Sequence, residues 1–134
     1  MAKKILVVDD ERFIVRMVQA NLERAGYEVV TAVDGKEALE KVEQENPDLV
    51  VLDVIMPYMD GFEVMQNLRK NPATHELPVI MMLARQADVA LTYVYPFQQN
   101  DDDCYLYYIR KPFNPMQLIS FVKRTFAIQE GAEV

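Results

Sequence analysis

The sequence predicts an α/β fold in which a parallel sheet of five strands carries helices on both faces. Short, continuous apolar runs recur along the chain, such as Ile5-Leu6-Val7-Val8 and Leu49-Val50-Val51-Leu52, as expected of strands buried on both faces. Segments with apolar residues at helical spacing alternate with these runs. Strands that alternate with helices indicate a parallel sheet connected by right-handed crossovers.

Length and composition limit the classes of protein to which the chain can belong. Its 134 residues suit one domain with a hydrophobic core, since 51% of them are hydrophobic and 26% are charged. The net charge of −7 disfavours a nucleic-acid surface, which needs clustered Lys and Arg. The apolar run near the N-terminus is far shorter than the roughly 20 residues of a membrane-spanning helix. We therefore expect a cytoplasmic protein that contacts neither nucleic acid nor membrane.

The first unit of the fold is a buried strand followed by a helix. Residues 5–8 form the strand, which ends at Asp9-Asp10. Residues 11–25 have apolar side chains at helical spacing and are followed by Gly26, a residue that commonly ends helices. The two acidic residues therefore lie in the turn between strand and helix.

The second strand and helix repeat this cycle and lead to a third strand. Residues 28–32 form the second strand, and Asp34 is a suitable N-cap for a helix that stops before Pro47. The third strand covers residues 49–52 and ends in Asp53. A second strand end is therefore acidic.

The last two strand-helix units complete the sheet. A helix covers about residues 62–70, and the fourth strand covers residues 79–83. The fifth strand is expected near residues 105–109. Asn114-Pro115 is an N-cap and first-turn pair that opens a final helix.

Together these elements predict a flavodoxin-like, doubly wound sheet. Its strand order is 2-1-3-4-5, about five helices flank it, and the region between strands 4 and 5 is atypical. We expect one domain over residues 1–128, a short C-terminal tail over residues 129–134 and no output domain.

Three carboxylates are predicted to meet at one edge of this sheet. Ligands of doubly wound sheets bind beyond the strand ends where the strand order reverses, and Asp9, Asp10 and Asp53 lie there. Clustered carboxylates repel one another and recruit a cation, and oxygen ligands alone favour Mg²⁺. We expect Asp10 and Asp53 to bind it directly, Asp9 to act through water, and the Ile55 carbonyl to add a ligand. The alternative for Asp9-Asp10 is simple capping of the helix that follows.

A lysine follows the predicted fifth strand. From this position the ammonium of Lys111 can reach the acidic crevice and neutralise phosphate charge. Pro112 after it suits a tight turn and a cis peptide bond. Without the neighbouring acids, Lys111 would be interpreted as a solvated surface lysine.

Four segments carry a resemblance to a known family. They are VVDDE at residues 7–11, LVVLDVIMPYMDGFE at 49–63, LPVIM at 77–81 and KPF at 111–113. Over nearly its whole length the chain resembles the response-regulator receiver family.

The resemblance implies a function for the acidic crevice. Asp53 would be the nucleophile that takes a phosphoryl group from a phosphohistidine, with Mg²⁺, Asp9, Asp10 and Lys111 as its helpers. The implied donor is a sensor histidine kinase or a histidine phosphotransfer protein. A downstream target protein would then read the signal through altered binding.

One departure from the family pattern concerns the switch residues. Leu83 stands at the end of the fourth strand, where receivers usually have a Ser or Thr whose hydroxyl donates to the phosphoryl group. Leucine cannot donate, so the sequence predicts phosphorylation with weakened conformational switching. Tyr108 matches the family's mobile aromatic residue, and Tyr105 competes for that role.

A second departure lies between the fourth and fifth strands. From Leu83 to Lys111 the chain is several residues longer than the family pattern, which predicts an extended loop or a rebuilt helix. Five of the seven tyrosines cluster there. Because aromatic residues are enriched in interfaces, a monomer or a dimer through residues 86–110 is expected.

Three other features are expected to carry no function. A lone cysteine, Cys104, is most simply a buried, inert thiol. His75 suits a surface position rather than a phosphodonor. The acidic run over residues 101–103 suits a solvated loop better than a cation site.

Two other classes of function compete with the phosphoacceptor. A degenerate receiver that binds partners independently of phosphate is favoured by Leu83 and opposed by the intact acidic residues and Lys111. A hydrolase acting through an aspartyl phosphate is disfavoured, because Ile55 stands where such enzymes place a second acid. We therefore expect a protein that is not an enzyme, with slow autodephosphorylation at most.

Overall fold

The computed structural model describes residues 2–83 and 106–131. Strands and helices alternate along these two ranges. The strands are β1 (Lys4–Val8), β2 (Glu28–Ala32), β3 (Leu49–Asp53), β4 (Val79–Leu83) and β5 (Leu106–Arg110), and the helices are α1 (Arg12–Arg24), α2 (Gly35–Glu45), α3 (Gly61–Lys70) and α4 (Pro115–Gln129).

The five strands form one parallel sheet in the order β2-β1-β3-β4-β5. The predicted fold class and strand order are confirmed. Because the order reverses between β1 and β3, the carboxyl ends of these two strands border a crevice. Four of the expected helices lie in the described ranges, whereas the atypical region before β5 and any helix within it fall in residues 84–105, outside them.

Alternating side chains of the strands supply two apolar cores, one on each face of the sheet. In β1, Ile5 and Val7 belong to the core beneath α1 and α4, whereas Leu6 and Val8 belong to the core beneath α2 and α3. All four side chains are fully buried. Burial on both faces explains the unbroken apolar runs and makes the sheet a rigid support for its strand ends.

Side-chain caps fix the starts of three helices. Asp34 accepts a hydrogen bond from the Glu37 amide at 2.8 Å, and Asn114 accepts one from the Met116 amide at 2.9 Å. Both caps were predicted. Asp60 caps α3 by accepting a hydrogen bond from the Glu63 amide at 2.9 Å, and the sequence analysis did not predict this cap. Each cap satisfies an amide that the helix itself leaves free.

The fifth strand is shifted by one residue from its predicted bounds of 105–109. Arg110 pairs with Leu83, and the Lys111 amide donates to the Leu83 carbonyl oxygen at 2.7 Å. Pairing with β4 therefore carries the chain in extended form up to the lysine. The Lys111–Pro112 peptide bond is cis.

Several sequence predictions lie outside the described residues. These are the roles of Tyr105 and Cys104, the acidic run over 101–103, and most of the proposed dimer surface over 86–110. His75 is described and is exposed in the connection between α3 and β4. Across residues 2–83 and 106–131, no helix has the length and apolar character needed to cross a bilayer.

Candidate functional site

Three carboxylates meet at the carboxyl ends of β1 and β3. Asp9 and Asp10 follow β1 and Asp53 ends β3, and one carboxylate oxygen from each lies within 4.8 Å of the others. Asp9 and Asp53 are buried, with 0% and 3% of their surface exposed, whereas Asp10 is exposed. This oxygen-only set of donors, open on the Asp10 side, fits a hard divalent cation such as Mg²⁺.

The Lys111 ammonium lies in the same crevice. Its Nζ atom is 2.7 Å from Asp9 Oδ2 and 3.4 Å from Asp53 Oδ1. A third carboxylate, Glu11, lies 3.7 Å away through its Oε1 atom. Sequence reasoning did not single out Glu11, although it directly follows the acidic pair. The Lys111 side chain is only 10% exposed, so these carboxylates replace most of its water.

Both oxygens of Asp9 already accept hydrogen bonds. Oδ1 accepts from the Glu11 amide at 3.0 Å, and Oδ2 accepts from Lys111. The Asp9 amide donates to the Ala32 carbonyl at 3.2 Å, which extends the pairing of β1 with β2 by one residue. Asp9 is therefore fixed through both carboxylate oxygens and its amide, whereas Asp10 faces solvent.

Burial and neighbouring negative charges raise the pKa of Asp53. This pKa is raised from 3.8 to about 7. Burial is the largest cause, and the charge of Asp9 and, to a smaller extent, that of Asp10 also raise the pKa, whereas Lys111 opposes the rise by its charge and hydrogen bond. A carboxylate with this environment gains much from a cation beside it.

The pKa of Lys111 is shifted in the opposite direction to that of an isolated buried lysine. Burial alone would lower its pKa, but the hydrogen bond to Asp9 and the charges of Asp53, Asp9 and Glu11 raise it above the ordinary value. The lysine therefore stays charged at neutral pH and serves as the counter-ion of the crevice.

Gly61 allows the chain to close tightly onto the end of β3. A Cβ atom at Gly61 would collide with the Asp53 carbonyl oxygen and lie 3.0 Å from Val54 Cα. The Gly61 amide donates to the Val54 carbonyl at 2.8 Å, and the Val54 amide donates to the Met82 carbonyl at 3.2 Å. These contacts fix the backbone that presents Asp53.

The loop between β3 and α3, which follows Asp53, exposes two large hydrophobic side chains. The Met59 amide donates to the Pro57 carbonyl at 2.8 Å, which closes a γ-turn with Tyr58 at its centre and a φ angle of 70°. Tyr58 is fully exposed, and Ile55 is 36% exposed. A Cβ atom at Gly35 would lie 2.9 Å from Met59, so the first residue of α2 must be small for this loop to pack.

The two predicted switch residues lie on one side of the sheet. Leu83 is 6% exposed and belongs to the core beneath α2 and α3. Tyr108 packs against the same core, and its hydroxyl is buried. The Leu83 backbone contacts that of Lys111, since the Leu83 carbonyl accepts a hydrogen bond from the Lys111 amide.

Comparison with known proteins decides the family. The profile of the response regulator receiver domain matches residues 5–123. This chain belongs to that family. The receiver is 47% identical, over 123 residues, to the alkaline phosphatase synthesis transcriptional regulatory protein PhoP of Bacillus subtilis (strain 168). That match covers 92% of the receiver and 48% of the relative, so the chain spans about half of the length of PhoP.

Solved structures of receiver domains share the fold. The signal receiver domain of a histidine kinase from Syntrophus aciditrophicus matches with a TM-score of 0.83 at 29% identity, over 98% of this chain and 96% of that one. The chemotaxis protein CheY4 of Vibrio cholerae matches with a TM-score of 0.79 at 34% identity, over 93% and 99%. Receiver domains bind Mg²⁺ at an acidic pocket and interact with histidine kinases and downstream effectors, and they are generally not true enzymes.

Proposed function

We propose that this receiver accepts a phosphoryl group on the Asp53 carboxylate and signals by altered protein binding. The proposed donor is the phosphohistidine of a sensor histidine kinase or of a histidine phosphotransfer protein. One observation carries the proposal: the buried Asp53 carboxylate lies within 4.8 Å of two further carboxylates and 3.4 Å from the Lys111 ammonium. A nucleophile, a place for a cation and a positive charge are thus combined in one crevice.

The chemistry assigned to Asp53 is a simple displacement. One carboxylate oxygen attacks phosphorus while the bond from phosphorus to the donor imidazole nitrogen breaks. The imidazole leaves with the electron pair of that bond, so one P–O bond replaces one P–N bond. Lys111 lies close enough to Asp53 to pair with the phosphoryl oxygens that arrive there.

The carboxylates of the crevice would hold Mg²⁺. Asp10 and Asp53 are the proposed direct ligands, with the Ile55 carbonyl as a further one. Asp9 is proposed to act through water, because both of its oxygens already accept hydrogen bonds. When bound, Mg²⁺ supplies positive charge that offsets the charges of the carboxylates and the phosphoryl group.

The position of Leu83 is compatible with a phosphoacceptor, although the loss of a hydroxyl there was the feature that favoured a degenerate receiver. Its side chain packs in the apolar core, so the loss of the usual hydroxyl leaves the carboxylates and Lys111 in place. We propose that the loss weakens the switch rather than the chemistry. The exposed Ile55 offers no acid or base to an attacking water, so slow autodephosphorylation is proposed as well.

Intact mass after incubation with acetyl phosphate and Mg²⁺ tests this function. We expect one phosphoryl adduct on the wild type and none on Asp53→Asn, and the adduct should be removed by hydroxylamine, which cleaves acyl phosphates. Asp34→Asn is the matched control, because Asn caps α2 as well as Asp does. An adduct that persists in Asp53→Asn would show that another residue is the acceptor.

A further inference from the structure

Lys111 is shared among three carboxylates, and Glu11 is the one that differs from the others. Asp9 and Asp53 belong to the carboxylate cluster that suits a cation, whereas Glu11 does not. The Glu11 side chain is 51% exposed, while those of Asp9 and Asp53 are 0% and 4% exposed. Glu11 is therefore the partner of Lys111 whose charge stays available when the cluster is filled.

The backbone of Glu11 is held firmly beside the lysine. Its amide donates to Asp9 Oδ1 at 3.0 Å, and its carbonyl accepts from the amides of Ile14 and Val15 at 3.1 and 3.2 Å. Although Glu11 is the N-cap of α1, its side chain makes no capping hydrogen bond. That side chain lies instead with Oε1 3.7 Å from the Lys111 ammonium. A change from Glu to Gln therefore removes charge and leaves the backbone contacts in place.

Filling the crevice weakens the hold of the other two carboxylates on Lys111. A divalent cation at the cluster engages Asp53 and repels the ammonium, and an acyl phosphate on Asp53 replaces the charge of that carboxylate with phosphoryl oxygens at a new position. Lys111 is 10% exposed, so little water can replace a partner that it loses. Of the three carboxylates near Lys111, Glu11 alone lies outside the cluster that the cation would occupy.

We propose that Glu11 is a positioning residue, which keeps the Lys111 ammonium at the crevice when Asp53 is neutralised or the cluster is filled. The inference rests on the proposed function, because a lysine that must meet an incoming phosphoryl group needs an anchor outside the cluster that holds the cation. It assigns Glu11 no contact with the phosphoryl group itself.

The reactivity of Lys111 tests this role without any phosphoryl transfer. Metal-free protein is treated with an N-hydroxysuccinimidyl acetate reagent at one pH above the Asp53 pKa of about 7, so that Asp53 is charged. Peptide mass spectrometry gives the acetylation rate of Lys111 relative to the exposed Lys123 of α4. Glu11→Gln is compared with wild type in two backgrounds, Asp53 and Asp53→Asn. Glu23→Gln, near the other end of α1, is the matched control.

We expect Glu11→Gln to change the rate little while Asp53 is charged, because Asp9 and Asp53 still hold the ammonium. In the Asp53→Asn background it should accelerate acetylation by about two- to fivefold, the range that a part-exposed ion pair can supply. Glu23→Gln should have no effect in either background. Glu11→Asp, which keeps the charge on a shorter side chain, should lie between wild type and Glu11→Gln.

A second arm separates this inference from the proposed function. With Asp53 intact, saturating Mg²⁺ should make the acetylation rate of Lys111 sensitive to Glu11→Gln, as the Asp53→Asn substitution does. Amide chemical shifts report whether Mg²⁺ binds. Unchanged amide shifts would contradict the proposed metal site, while the metal-free arm would still decide the role of Glu11. Equal effects of Glu11→Gln in both Asp53 backgrounds, or no effect in either, would overturn the role of Glu11.

Discussion

The Lys111 ammonium lies 2.7 Å from the Oδ2 atom of Asp9, a fully buried carboxylate 102 residues away in the chain. Asp9 follows β1 and Lys111 follows β5, so the ion pair forms only when the whole sheet is assembled. The pair couples the stability of the sheet to the geometry of the crevice. Removal of the lysine would leave a buried charge without its counter-ion.

Lys111→Met should destabilise the metal-free protein strongly. Breaking a buried ion pair from one side typically costs about 3–5 kcal/mol, because the remaining charge stays buried. Urea unfolding followed by circular dichroism in EDTA measures the loss, and Mg²⁺ should reduce it by supplying a new counter-charge.

The matched control for this prediction is Lys4→Met. The Lys4 ammonium lies 3.2 Å from Glu45, but both side chains are partly exposed, at 25% and 36%. An ion pair of this kind contributes at most about 1 kcal/mol. Equal losses of stability in the two variants would contradict a structural role for the buried pair.

Ionisation of Asp53 should lower the stability of the metal-free protein as the pH rises. Its pKa is raised in the folded state by burial first, then by the charge of Asp9, from 3.8 to about 7. A raised pKa means that the contribution of Asp53 is fully present below pH 3.8 and is lost as the pH rises through about 7. At about 1.4 kcal/mol per pKa unit, the loss is on the order of 4 kcal/mol.

The difference in unfolding free energy between Asp53→Asn and wild type isolates this effect from other titrating groups. In EDTA, the difference should change in favour of Asp53→Asn between about pH 4 and pH 7 and then level off. Saturating Mg²⁺ should shrink the difference, because a cation favours the ionised carboxylate. A difference that is constant across this pH range would show that burial does not perturb Asp53.

Much of the fold could be predicted because parallel strands buried on both faces leave a strong local signal. The bounds predicted for β2 and β4 agree with the structure, and each is a short run next to a turn or proline signal. The fifth strand was misplaced by one residue, because Leu106 to Ile109 are apolar or aromatic throughout and mark no end. Its end is set by pairing with Leu83, a contact that no local pattern contains.

Part of the candidate site could also be predicted from the sequence, and part could not. The sequence was enough to predict the cluster of Asp9, Asp10 and Asp53, because topology alone brings the carboxyl ends of neighbouring parallel strands together. The contact between Glu11 and Lys111 could not be predicted, since it depends on where two flexible side chains meet after folding. The close approach of Gly61 to the Asp53 carbonyl became evident only in three dimensions.

Gly61→Ala should disturb Asp53 although the substitution is conservative. The added Cβ would collide with the Asp53 carbonyl oxygen, and backbone cannot move aside as a flexible side chain can. We expect a loss of about 1–3 kcal/mol, as for other overpacked sites, together with weaker Mg²⁺ binding. Urea unfolding measures the first, and amide shifts during a Mg²⁺ titration measure the second.

Gly26→Ala provides the comparison for Gly61→Ala. Gly26 has a φ angle of 100°, and no atom lies within 4 Å of the position that an added Cβ would take, so its cost is backbone strain of roughly 1–2 kcal/mol. Gly26 follows α1 and lies at the opposite end of that helix from the crevice. If Gly26→Ala weakened Mg²⁺ binding as much as Gly61→Ala, general destabilisation rather than the contact with Asp53 would be responsible.

Leu83→Thr should strengthen the conformational response to a phosphoryl mimic. A hydroxyl at the end of β4 could donate to a group on Asp53, whereas Leu83 packs in the core and lacks a donor. Amide chemical shifts with and without beryllofluoride measure the response, and we expect changes around Tyr108 and β5 in Leu83→Thr that the wild type lacks.

Leu83→Val controls for the smaller side chain, since Val has nearly the shape of Thr without the hydroxyl. Both variants should lose about 2 kcal/mol of stability. If wild type or Leu83→Val responded as far as β5, the hydroxyl would not be what limits the switch.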